Sequence, residues 1–140
     1  MSAAARRYYE RGRQALDTND LETAQEALRS ALDLAPAFGN ARVAYAVALA
    51  KAGDCPRAQS VLRQGIPRAS SPISAAAMWA TLGDVCVLGG DFFGAEEAFQ
   101  TAARTPGFEA RAASGMARVH ARLGRFREMA QALRAAATAK

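Results

Sequence analysis

Apolar residues return along this chain every three or four positions, the spacing of one face of an α-helix. Ala24, Leu28 and Ala31 form a small, large, small pattern at that spacing, and the pattern returns 34 residues later as Ala58, Leu62 and Gly65. Gly12 likewise stands 34 residues before Ala46. A shift of 37 carries the frame to Gly83, Ala95, Phe99 and Ala102, and a further 34 carries it to Ala117, Met129, Leu133 and Ala136. Four repeats therefore share one register, with three additional residues between the second and the third. That insertion falls in Arg68, Ala69, Ser70, Ser71 and Pro72, where the Ser and Pro cluster predicts a loop.

Each repeat divides into two helical stretches at a turn signal: Thr18-Asn19-Asp20, Gly53-Asp54, Gly89-Gly90-Asp91 and Gly124-Arg125. Glycine or a small polar residue stands in each where one helix must stop and the next begin. Pro56 suits the first turn of its helix, with Asp54 or Cys55 at the cap. Pro36 and Pro106 are expected to close the second helices of the first and third repeats. The pattern predicts eight helices in four antiparallel pairs.

The residues in this frame resemble the tetratricopeptide repeat. The third repeat carries the resemblance best, with Trp79, Leu82, Gly83, Cys86 where tyrosine is usual, Ala95, Phe99, Ala102 and, one place early, Pro106. The first offers Tyr8, Gly12, Ala24, Leu28, Ala31 and Pro36, but has Arg11 and Ala15 where large apolar residues are expected. The second shows Tyr45, Ala46, Ala58 and Leu62, and the fourth Ala113, Met116, Ala117, His120, Met129 and Leu133. The resemblance implies a single all-α domain over residues 1–140: an α-solenoid of about four antiparallel helix pairs in a right-handed superhelix, with repeats over about 5–38, 39–72, 76–109 and 110–140. Small residues at Gly12, Ala24, Ala46, Ala58, Gly83 and Ala95 allow the helices of a pair to approach closely, and Leu28, Leu62, Phe99 and Leu133 fill the space between pairs. Stability then comes from stacking, because no pair buries its apolar stripe alone.

Members of this family present a concave surface lined by the first helix of each pair, where a partner peptide or helix lies. Projected onto this chain, the groove takes Arg6, Tyr9 and Arg13 from the first repeat and Asn40, Val43 and Val47 from the second. Ala77, Ala80, Thr81 and Asp84 follow from the third, and Arg111, Ser114 and Arg118 from the fourth. The resemblance thus implies a non-catalytic adaptor or chaperone-like module whose groove, apolar in the middle and basic at both ends, holds a protein segment with aliphatic residues at its centre and acidic ones outside. The bland account of the same arginines is a solvated face that keeps an alanine-rich protein soluble. The subset of the family that grips a C-terminal carboxylate carries lysine and asparagine at set groove positions. Tyr9, Arg13, Ala44, Ala77 and Thr81 stand there instead, so that activity is not expected.

Composition narrows the picture further. In 140 residues, 51% hydrophobic, β-branched and aromatic side chains are sparse and alanine abundant, which favours closely packed helices over sheets. The first residues lack the apolar run of a secretory signal, and no stretch of about 18 uncharged apolar residues occurs, so a cytoplasmic protein away from membranes is expected. Arginine outnumbers lysine by 16 to 2, a bias that hints at a GC-rich bacterial genome, and bacterial secretion chaperones and pilus-assembly factors are similar in size and repeat content.

Cys55 and Cys86 fit neither a metal spacing nor a disulfide framework, and His120 is the only histidine. No phosphate loop, carboxylate pair or nucleophile with a histidine partner is present, so neither catalysis nor a cofactor is expected.

The net charge of +5 is unevenly spread. From residue 104 onward eight bases face two acids, whereas residues 76–103 hold four acids and no base. Such a basic end admits an alternative reading, a nucleic-acid-associated helical repeat protein. It is disfavoured because the bases are not interleaved with stacking aromatics: Phe108 and Phe126 both fall at packing positions. The last helix (Phe126, Met129, Ala130, Leu133, Ala136, Ala137) has no following repeat to cover it, which makes it a candidate surface for a second copy or a partner.

Overall fold

A computed structural model of the chain describes residues 2–139. Met1 and Lys140, the ends of the expected domain and the latter one of the eight bases above, lie outside the described residues. Among them eight α-helices and no strand occur: α1 (Ala3–Asp17), α2 (Leu21–Leu34), α3 (Gly39–Lys51), α4 (Cys55–Gly65), α5 (Pro72–Gly89), α6 (Phe92–Ala102), α7 (Glu109–Arg122) and α8 (Phe126–Thr138). They gather into two compact units that divide between Ser70 and Ser71. In unit 1, α1 pairs with α2 and α3 with α4, and α2 packs on α3. Unit 2 repeats this plan with α5 on α6, α7 on α8, and α6 against α7.

Four turns of the same construction join the helices of each pair. Asn19, Gly53, Gly90 and Gly124 take positive φ angles of 59°, 91°, 84° and 75°, the left-handed conformation that ends a helix most cheaply when the residue is glycine. The following residue donates its backbone N–H five residues back: Asp20 to Ala15 O at 2.8 Å, Asp54 to Leu49 O at 2.9 Å, Asp91 to Cys86 O at 2.8 Å and Arg125 to His120 O at 2.7 Å. In three of the four turns that residue also opens the next helix, its carboxylate accepting from Thr23 N, Arg57 N and Gly94 N respectively. Asp54, not Cys55, is therefore the cap of α4. Arg125 cannot accept such a bond, and α8 starts without a side-chain cap.

Two boundaries differ from the sequence reading. Pro72 is the first residue of α5, not part of a loop, because Ser71 Oγ accepts from Ser74 N at 3.0 Å and a proline there loses no backbone bond. A single 3₁₀ turn, Ile66–Arg68, takes up part of the insertion. At the other boundary α6 stops at Ala102, well before Pro106, with the Ala103 N–H closing onto Phe99 O and Thr101 O.

Inside both units the small-against-large pattern is a matter of contact. Ala24, Leu28, Ala46, Ala58, Leu62, Ala95 and Phe99 are wholly buried. A methyl placed on Gly12 would sit 2.5 Å from Leu28, so only glycine lets α1 meet α2 there. In unit 2 the Phe99 ring stands between α5 and α7: a methyl on Gly83 would lie 2.6 Å from it, and one on Gly115 closer still. Leu133 breaks the pattern. It is 51% exposed and fills no junction among the described residues, and none of those in α8 is buried.

Helix α5 is long and apolar enough to cross a membrane by length and composition alone. In unit 2 it is a core helix, with Ala76, Met78, Ala80, Leu82, Val85 and Cys86 buried.

Two outcomes are expected. Gly115→Ala should destabilise the protein by about 1–3 kcal/mol in denaturant melts, outweighing the ~1 kcal/mol that alanine gains over glycine in a helix, and the penalty should shrink in a Phe99→Leu background. Additive effects would contradict the shared slot. The Asp20 carboxyl is held below its ordinary value by its bonds to the Thr23 side chain and then the Thr23 backbone. Its contribution is therefore present above the usual carboxylate range and lost as pH falls through the lowered value. Asp20→Asn keeps a capping oxygen but removes that titration, so melts from pH 7 down to about pH 2 should show a shallower acid loss than wild type.

Candidate functional site

Within unit 1, α1 and α3 touch and present one face. Half-buried Tyr9 sets its ring 4.8 Å from that of Phe38 at a tilt of 50°, a geometry that aromatic pairs favour beyond simple area burial. Arg13, one turn along α1, donates from Nη1 to Tyr9 Oη at 3.4 Å and holds its guanidinium 5.9 Å from the ring centre. The hydrogen bond to Tyr9, foremost, raises the Arg13 pKa above its ordinary value, so the cation persists at any physiological pH. Arg6 and Asn40 are exposed, and Val43 and Val47 are half-buried. Tyr9 and Arg13 are thus brought together, joined by Phe38, which the repeat frame passed over. Its signal was an aromatic at the position before Gly39, where a helix start normally takes a small polar residue.

Within unit 2, α5 and α7 touch, and Asp84 of α5 accepts from two arginines of α7: Arg111 Nη2 to Oδ2 at 2.8 Å, and Arg118 to Oδ1. The two lie seven residues apart on α7, two helical turns, so one carboxylate bridges both. The end expected to be plainly basic is accordingly half neutralised. Ala77 is half-buried and Ser114 exposed. Ala80 and Thr81 do not belong to any binding face: they are 0% and 4% exposed, and the Thr81 hydroxyl donates to Ala77 O at 2.8 Å. The projected frame placed them at the groove, but the tight α5 packing around Gly83 turns them inward.

A family model described as Tetratricopeptide repeat matches residues 15–84, half of the chain. The chain belongs to the tetratricopeptide repeat family. No curated protein matches it. Repeats of this family generally mediate protein–protein interaction.

Other chemistry is sparse in this tetratricopeptide repeat protein. Among the described residues no group of three His, Cys, Asp or Glu side chains could hold a metal ion. Cys86 is buried in the core of unit 2 and Cys55 half-buried at the start of α4. His120 is half-buried as well, with Nδ1 shielded from solvent and without a hydrogen-bond partner.

Because the Asp84 bridge is partly solvated, Asp84→Asn should lower stability by less than about 1 kcal/mol, and the difference should vanish in about 1 M salt. A larger, salt-insensitive loss in thermal melts would mean that the bridge is needed for packing.

Proposed function

We propose that this protein is a non-catalytic adaptor or chaperone-like module that holds a segment of another protein against the exposed faces of its first helices. The observation that carries the reading is the assembly of Tyr9, Phe38 and Arg13 in unit 1, where α1 touches α3, the helix that holds the half-buried Val43 and Val47. An aromatic pair already in contact loses little conformational freedom when a partner docks, and half-buried valines still offer apolar area to cover. The neighbouring cation favours an acidic residue just outside that patch. The segment best suited is amphipathic or extended, aliphatic where it meets the valines and acidic at its flanks.

In unit 2 the α5 and α7 face offers a different character. Asp84 already engages one donor from each arginine, leaving further guanidinium N–H groups to meet carboxylates of the same partner.

The test is affinity capture from the native lysate, comparing wild type with a Tyr9→Ala plus Val47→Asp variant. Neither side chain is fully buried, so the variant should fold, as circular dichroism would verify, yet lose its specific partners. Recovery of the same proteins by both versions would remove the α1 and α3 face from the proposal.

A further inference from the structure

Arg42 and Tyr45 lie on roughly the opposite side of α3 from Asn40, Val43 and Val47, given about 100° per helical residue. There unit 1 has a cleft of about 490 Å³ between α2, α3 and α4. Four arginines line it: Arg29 of α2, Arg42 of α3, Arg57 of α4 and Arg68 of the 3₁₀ turn. The lining holds a single carboxylate, Asp33, and among the described residues none of the four arginines forms an ion pair with it or with any other acid.

Arg42 is the most telling of them. It is 8% exposed, and its guanidinium is pinned by Nη1 donating to Val61 O at 3.2 Å and Nη2 donating to Pro36 O at 2.9 Å. Two neutral carbonyls fix its plane but do not cancel its charge. Burial first, and then the positive charge of Arg68, pull its pKa below the ordinary value. Folded proteins normally relieve such a cation with a counter-charge. Arg57 is fixed too: Nη2 donates to Tyr45 Oη at 3.0 Å, with the guanidinium 6.0 Å from that ring.

We propose that this cleft is a binding site for a dianionic phosphoryl group. Guanidinium forks held in place before the ligand arrives match the paired oxygens of phosphate, and little order remains to be imposed on binding. Four cations against one acid call for more negative charge than a single carboxylate brings. The cleft volume falls in the range of sites for small organic ligands, so the phosphoryl group arrives on a carrier, either a phosphorylated side chain or a free phosphate ester. A purely structural role would explain Arg42 but leaves Arg29, Arg57 and Arg68 without a reason to converge. The site is independent of the face built by Tyr9 and Val47.

The experiment titrates the full chain with inorganic phosphate, O-phosphoserine and acetate at constant ionic strength, reading thermal midpoints and arginine Nε–Hε resonances. Both phosphate probes should raise the midpoint saturably and shift the Arg42 and Arg57 signals, with acetate inert. An Arg57→Ala plus Arg68→Ala variant, which changes two exposed side chains and leaves Arg42 in place, should bind at least tenfold more weakly. Tighter binding of O-phosphoserine than of inorganic phosphate supports a phosphorylated side chain as the source; equal or weaker binding supports a free ester. The proposal is overturned if neither phosphate probe saturates, if acetate acts as well as phosphate, or if the variant responds like wild type.

Discussion

The Phe99 ring has no room to spare on two sides. Gly83 of α5 and Gly115 of α7 both face it, and either would clash with it if it carried a single methyl. One side chain on α6 thereby sets how near two other helices can come, and the alanines around it, Ala95, Ala98 and Ala102, are buried because the helices are that close. Leu28 against Gly12 is the same device in unit 1. Interiors at this density have no slack, so the exposed faces of α1, α3, α5 and α7 are positioned by contacts made on their hidden sides.

How far the residues alone could be read depends on what kind of information each feature carries. The turns were legible because they rest on conformations that few residues tolerate: Asn19, Gly53, Gly90 and Gly124 stand in register and all adopt positive φ. Leu28, Leu62 and Phe99 were legible as junction fillers because period and size coincide. Gly115 escaped notice, although an interior helical glycine carries an intrinsic penalty that ought to prompt a search for its reason. Leu133 failed because a periodic pattern says where a side chain points, not whether anything waits there.

Surface chemistry was harder to foresee. Ala80 and Thr81 were assigned to a groove by family projection, yet a shift of one position around a helix moves a residue by about 100°, enough to carry it from solvent to core. The Arg111, Asp84 and Arg118 bridge joins residues far apart in the chain, and only the approach of α5 to α7 brings them together. Arg42 was less visible still, since its nearest residues in sequence, Ala41, Val43 and Ala44, suggest an apolar helix and give no hint of a cation held by Val61 and Pro36 carbonyls.

The fourth turn keeps the backbone geometry of the other three but has lost its aspartate. Arg125 spends its side chain on Glu96 at 2.9 Å instead, and the helix it opens buries none of its described residues. With its first N–H groups unclaimed by a side chain and no described residue buried, α8 is held by less than α5, α6 and α7, although it packs along α7. Its amide protons should accordingly trade with solvent through local opening more readily than those of α5, α6 and α7.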